Sequence, residues 1–188
     1  MTCRVLLISG SQRSASTNAA ALRTALRLVP RGFAGVLYDG LGRLPHFNPD
    51  DDHDPLHEEV ARMRSALHEA AAVLFSTPEY AGGLPGSFKN LLDWTIGDDQ
   101  PGSIYDKPVA WINTSPRGAR GAHAELQEVL SYAHAAVVEA ACAHIPVTAD
   151  MIAGDGLVAD HAARQEIIRA TAVLAGSAGC TPGPRQLQ

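Results

Sequence analysis

The stretch GSQRSASTN at residues 10–18 follows the apolar run VLLIS and leads into a helical pattern. It consists of small hydroxyl and amide side chains with one cation, Arg13. A loop that enters a helix near Thr17–Asn18 presents unpaired backbone N–H groups at the positive end of the helix dipole. Ser11, Ser16, Thr17 and Asn18 add side-chain donors, and Arg13 adds a forked, permanently charged one. This chemistry suits a dianionic phosphate monoester. A helix cap over a polar surface loop would need a single capping residue, whereas this loop carries four donors and an arginine. Neither G-x-x-x-x-G-K-[ST] nor G-x-G-x-x-G occurs, which turns the reading away from nucleotide triphosphates and from tightly held NAD.

A second candidate is STPEYAGGLPGSFKNLLDW at 76–94. Glycines around Glu79 and Tyr80 let a flat ligand approach the backbone, and Pro78 and Pro85 stiffen the loop. Tyr80 is placed to pack beside an aromatic ring. Ordinary strand-to-helix loops run about 2–6 residues, and this one is longer. A third candidate, TSPRGARGA at 114–122, offers Ser115, Gly118 and Gly121 to a loop passing beneath a flat ring.

These loops need a scaffold. Apolar runs at 3–9, 35–39, 72–77, 108–115 and 135–141 read as strands, and they are continuous, as strands covered on both faces should be. Helical stripes lie between them: Leu22, Leu26 and Val29; Leu56, Val60, Met63 and Leu67; Phe88, Leu91, Leu92 and Thr95; Ala122, Leu126, Val129 and Ala133; Ala163, Ile167, Ala170 and Leu174. Alternation of this kind predicts an α/β fold, a parallel sheet with helices on both faces and right-handed crossovers. Ligands then bind at the carboxyl ends of the strands, where the three loops sit.

Taken in order, GSQRSASTN and PEYAGGLPGSFKNLLDW resemble the two signatures of the NADPH-dependent FMN reductase family, flavodoxin-like reductases of quinones, azo dyes and chromate. Gly10, Ser11, Arg13, Ser16 and Asn18 fill the first signature. Pro78, Glu79, Tyr80, Pro85, Gly86, Lys89, Asn90, Asp93 and Trp94 match the second. Ala81 stands where the family has asparagine, which removes a polar group at the expected isoalloxazine edge. The resemblance implies a five-stranded flavodoxin-like three-layer sandwich of order 2-1-3-4-5, a single domain set at residues 1–178; the polar, Pro/Gly-rich composition of the end reads as a flexible tail at 179–188. It implies that Ser11, Arg13, Ser16 and Asn18 hold the FMN phosphate, and that Pro78, Glu79, Tyr80, Ala81 and Gly82 line the ring. Ser115 and Gly118 would lie beneath it. It further implies NADPH or NADH as hydride donor, a small-molecule electron acceptor, no catalytic acid or base, and a homodimer or homotetramer. The helix at 85–96, with Phe88 and Trp94, is expected at the subunit boundary. Arg117 and Arg120 read as solvated surface, with the 2′-phosphate of NADPH as the alternative.

Composition narrows the field. Of 188 residues, 46% are hydrophobic and 19% charged, and the net charge is −5. No basic stretch points to nucleic acid, and no apolar run reaches the ~18 residues of a membrane span. The opening MTCRVLLISG does not read as a signal peptide, and the expectation is a cytoplasmic protein. Cys3, Cys142 and Cys180, an odd number without C-x-x-C spacing, argue against a disulfide framework and a zinc site. Cys142 reads as a small buried hydrophobe. The segment NPDDDHDPLHEE at 48–59 is acidic, but it has no metal-binding spacing and precedes a helix, where carboxylates are favoured. A serine hydrolase would need G-x-S-x-G, which is absent. A flavin-binding electron carrier or redox sensor remains the alternative to a reductase.

Overall fold

The computed structural model describes residues 3–180; most of the expected tail, 181–188, lies outside them. The elements run β1 (Cys3–Ser9), α1 (Thr17–Arg27), β2 (Phe33–Tyr38), α2 (Glu58–His68), β3 (Ala72–Ser76), α3 (Gly86–Ile96), β4 (Pro108–Asn113), α4 (Arg120–Tyr132), β5 (Ala136–Val137), β6 (Ala143–His144) and α5 (His161–Gly176). The sheet is parallel with order β2-β1-β3-β4-β5, and β6 also pairs with β4. This is the doubly wound order of flavodoxin-like folds.

The continuity of the apolar runs has a direct cause. On β1, Leu6 and Ile8 face one core while Val5 and Leu7 face the other. The first core packs α2, α3 and α4 on the sheet through Met63, Phe88, Leu91 and Leu126. The second packs α1 and α5 through Leu22, Ile167 and Leu174. Local signals set the helix starts. Ser16 has extended backbone (φ −81°, ψ 126°), and its Oγ accepts a bond from the Ala19 N–H at 3.3 Å, so it is the N-cap of α1. Asp160 caps α5 in the same way, accepting from the Ala163 N–H at 2.8 Å. At the acidic 48–59 segment, His57 Nδ1 accepts from the Glu59 N–H, and Asp52 pairs with the buried Arg64. Arg64 also donates to the Trp94 carbonyl at 2.8 Å, capping the last turn of α3.

The structure corrects four expectations. The fifth strand is not continuous over 135–141: β5 pairs with the start of β4, a 3-10 turn covers Glu139–Ala141, and β6 pairs with the end of β4. An alanine-rich run has weak strand preference, and the turn leaves the Glu139 charge in solvent. Phe88 and Trp94 do not face a partner; they are 0% and 1% exposed. The Trp94 indole stacks edge-on to Phe47 and donates Nε1–H to the Pro45 carbonyl at 2.9 Å. Cys3 and Cys180 are joined by a disulfide, which the sequence count argued against; the fold brings the start of β1 beside the end of α5. Cys142 is half-buried rather than buried, with its thiol directed at the Val138 carbonyl.

Thr24 ties the segment before α5 to α1. Its buried hydroxyl donates to the Ala20 carbonyl at 2.8 Å and accepts from the Val158 N–H at 2.9 Å. Thr24→Val would leave that buried N–H unpaired, at a cost of about 1–3 kcal/mol. Thermal unfolding should show a Tm several degrees lower, with Thr24→Ser restoring most of the loss.

Candidate functional site

The carboxyl ends of β1, β3 and β4 lie side by side, so the three loops open at one edge of the sheet. Buried hydrogen bonds hold the arrangement. Asn18 Oδ1 accepts from Thr114 Oγ1 at 3.1 Å and lies 2.9 Å from the Ser76 hydroxyl, which also reaches the Ile112 carbonyl at 2.6 Å. Thr17 and Thr114 hydroxyls share a bond at 3.0 Å. The first turn of α1 is thereby fixed to the ends of β3 and β4. With its oxygen so engaged, Asn18 has its amide NH2 left for the cavity it lines.

That cavity has a volume of about 690 Å³. One wall is the first loop: Ser11, Arg13, Ser16, Thr17 and Asn18. Helix geometry leaves the Thr17 and Asn18 N–H groups without intrahelical partners. The Arg13 guanidinium is exposed and makes no hydrogen bond among the described residues. Pro78, Glu79 and Tyr80 from the second loop line it as well, as do Thr114, Ser115 and Pro116 from the third. Nine of the residues expected at the site therefore meet on one cavity: Ser11, Arg13, Ser16, Thr17, Asn18, Pro78, Glu79, Tyr80 and Ser115. Ala81, Gly82 and Gly118 are not on its wall.

Eight further residues line it, among them Thr114, Ala149, Arg117 and Arg120. Thr114 belongs through its bonds to Asn18 and Thr17, and Ala149 reaches the cavity from beyond β6, a position that no sequence pattern marked. Arg117 and Arg120, read from the sequence as surface, line the cavity. Their pairing after a strand end was the available signal. The loop that carries them is shaped by Asn113, whose Oδ1 accepts from the Ser115 N–H at 3.0 Å and whose Nδ2 donates to the Gly118 carbonyl.

The second loop is clamped to α4. Ala119, left-handed at φ 43°, precedes α4 and gives it no side-chain cap. Glu79 supplies one from across the cavity, accepting from the Ala122 N–H at 3.1 Å. Glu125 returns the favour, accepting from the Leu84 N–H at 2.7 Å. A Cβ on Gly121 would overlap the Gly82 carbonyl oxygen, so only glycine lets helix and loop approach this closely.

Residues 3–150 match the NADPH-dependent FMN reductase family. The chain belongs to that family. It is 42% identical over 113 residues to an NAD(P)H-dependent FMN reductase of Pseudomonas aeruginosa, covering 60% of each chain. It is 33% identical over 117 residues to a quinone reductase of Pseudomonas putida, covering 62% of each. The matches span about three fifths of the length of these curated relatives. Among solved structures, the flavoenzyme NAD(P)H:(acceptor) oxidoreductase FerB of Paracoccus denitrificans is similar at a TM-score of 0.78 and 29% identity, over 93% of this chain and 98% of that one. An NADH:FMN oxidoreductase, EmoB, shares the fold at 18% identity and a TM-score of 0.66, over 96% of this chain and 92% of that one.

This member of the NADPH-dependent FMN reductase family differs in form at Ala81. Tyr80 and Gly83 exchange backbone bonds at 3.0 and 3.1 Å, and Ala81 and Gly82 between them have φ of 50° and 82°. Two positive φ values define a type I′ turn, which favours asparagine or glycine first. Asparagine therefore answers a backbone requirement at this position, which alanine meets at a cost of roughly 1–2 kcal/mol. Ala81→Asn should raise stability by about 1 kcal/mol, or about 2–4 °C in Tm. Because Ala81 is exposed and off the cavity wall, FMN affinity in the same variant should stay within twofold of the parent.

Proposed function

We propose that the chain is an FMN-dependent NAD(P)H oxidoreductase. It would pass a hydride from reduced nicotinamide via FMN to a small-molecule acceptor such as a quinone, azo compound, metal oxyanion or free flavin. The observation that carries this is one cavity that joins a donor-rich helix start to a rigid wall of Pro78 and Tyr80. The first suits a phosphate and the second a flat ring. FMN would supply the redox chemistry itself, taking up a hydride and giving up two electrons, so that no side-chain acid or base is required.

The chain's own groups would bind and orient. The Thr17 and Asn18 N–H groups, with Ser11, Ser16 and the Asn18 amide, would meet the phosphate oxygens, and Arg13 would neutralise them. Ser16 would share its hydroxyl between this role and its cap on Ala19. Pro78 and Tyr80 would flank the ring, and Ser115 would close it from the β4 side. Glu79, held by the Ala122 N–H, would keep the Tyr80 turn against α4.

The reading includes a homodimer or homotetramer in the cytoplasm, the compartment that holds reduced nicotinamide. With Phe88 and Trp94 in the core, its support is the groove beside α3, about 620 Å³, lined by Phe47, Ile96, Val129 and the exposed Tyr132. Sedimentation equilibrium should give a mass of two or four chains.

The deciding experiment is the visible spectrum of the purified protein loaded with FMN. Flavin bands that bleach anaerobically on adding NADPH are expected. Bands that persist would move the chain to the carrier or sensor class, and failure to take up FMN would overturn both. Arg13→Ala should weaken FMN binding by about tenfold or more, as the loss of a charge-assisted bond of roughly 1.5–3 kcal/mol. Riboflavin, which has no phosphate, should be little affected. Equal losses for both flavins would remove Arg13 from the phosphate.

A further inference from the structure

Between Thr77 and Leu84, both buried, the second loop leaves the core. Glu79, Tyr80, Ala81 and Gly82 are exposed, so no buried side chain anchors the Tyr80–Gly83 turn from within. Among the described residues, the hydrogen bonds from 79–84 to other elements both go to α4. Glu79 accepts from the Ala122 N–H at 3.1 Å, and Glu125 accepts from the Leu84 N–H at 2.7 Å.

The two carboxylates are not equivalent. Glu79 lines the large cavity and can touch a ligand itself. Glu125 does not line it, so any effect it has on a bound molecule passes through the turn. Glu125 is the sixth residue of α4, past the first turn, where a carboxylate would answer the helix dipole. It pairs with no cation among the described residues, and its hydrogen bond is the one from Leu84. The loop side leaves room for it. Gly83 presents bare backbone there, and a Cβ on that residue would come within 2.7 Å of Glu125 Oε2. A charged acceptor on the N–H of a buried residue restrains the chain more than a neutral surface contact does.

We propose that Glu125 is a positioning residue for the flavin ring. By holding the Leu84 N–H it fixes the angle of the Tyr80 turn, and with it the Pro78–Tyr80 wall against which the ring lies. This rests on the flavin site proposed above. The clamp acts on the loop that flanks the ring, whereas the phosphate contacts belong to Arg13 and the start of α1. Loss of the clamp therefore disturbs the ring and leaves the phosphate contacts in place.

FMN and riboflavin are titrated into the parent protein and its variants. Glu125→Ala should weaken both flavins by the same factor, about three- to tenfold. That is the reverse of the Arg13→Ala pattern, in which FMN alone suffers. The visible circular dichroism of the bound flavin should change too, because it reports the asymmetry of the ring's surroundings. Glu125→Gln keeps an oxygen for Leu84 and should recover most of the affinity and the parent dichroism. Thr24→Val costs stability in α1 and not at the turn, and it should lower the Tm while leaving both flavin affinities within twofold. Unchanged affinities and dichroism in Glu125→Ala would overturn the positioning role. So would a loss confined to FMN, a Glu125→Gln variant no better than Glu125→Ala, or equal flavin losses in Thr24→Val. If the parent binds both flavins but NADPH does not bleach them, the reductase reading fails, and a ring-specific loss in Glu125→Ala still establishes the role. If NADPH bleaches parent and Glu125→Ala alike, at equal affinity and with the same dichroism, the reductase reading stands and the role falls. A parent that takes up neither flavin overturns both.

Discussion

The site depends on a small buried knot of hydrogen bonds at the top of the sheet. Thr17, Asn18, Ser76 and Thr114 come from the start of α1, the end of β3 and the loop after β4. Ser76, Thr114 and Asn18 are 0%, 0% and 6% exposed, so each bond lies in a low-dielectric setting where an unmet partner is costly. The knot fixes two strand ends, those of β3 and β4, relative to one helix start. Without it, the free N–H groups of α1 would have no defined relation to the Pro78–Tyr80 wall. The parallel register of β1 on β3 sets the same relation from the side, pairing Ser9 with Ser76.

Close backbone approach is the second constraint. Gly10 donates its N–H to the Ser76 carbonyl at 2.8 Å, and a Cβ there would overlap the Thr77 side chain. Gly121 stands in the same relation to Gly82. These glycines let two loops and a helix close around one cavity without side chains between them. Carboxylates then do what helix caps do elsewhere. Glu79 and Glu125 bridge α4 and the second loop in both directions, so loop and helix position each other. The length of that loop, unusual for a strand-to-helix connection, is thus no sign of looseness.

Much of this was legible because it rests on local chemistry. The run CRVLLIS is β1 over Cys3–Ser9, and Ser16 begins α1 as its residue type requires. Phosphate-like donors cluster because a helix start and a strand end are sequence neighbours. What escaped reading depends on tertiary contact. The split of the fifth strand is decided by pairing with β4, not by the alanines and valines themselves. Aromatic Phe88 and Trp94 carry no mark to separate a core face from a subunit face; burial against Phe75 and Phe47 decides it. Cys3 and Cys180 are 177 positions apart, and only the fold brings them together. At Ala81 the motif pattern flagged a position whose backbone makes a demand of its own, a turn with two positive φ values, which is not visible when only letters are compared.

Charge shows why a sum over the sequence misleads about the site. Several arginines elsewhere are spent on carboxylates: Arg43 and Arg62 on Asp39 and Glu59, Arg64 on Asp52, Arg169 on Glu166. Each such pair removes a positive charge from the protein's outer field. Arg13, Arg117 and Arg120 have no such partner among the described residues and share one cavity. The carboxylate that lines it, Glu79, is directed into the N-terminus of α4, where the helix dipole offsets its charge. A concave wall of this kind concentrates its field, whereas the acidic surplus is spread over the outer surface and is screened within about 8 Å at physiological salt. An anionic ligand would therefore meet attraction at close range despite the net charge of −5. The capacity for an anion follows from which unpaired arginines are brought to one cavity, and that is settled by the fold.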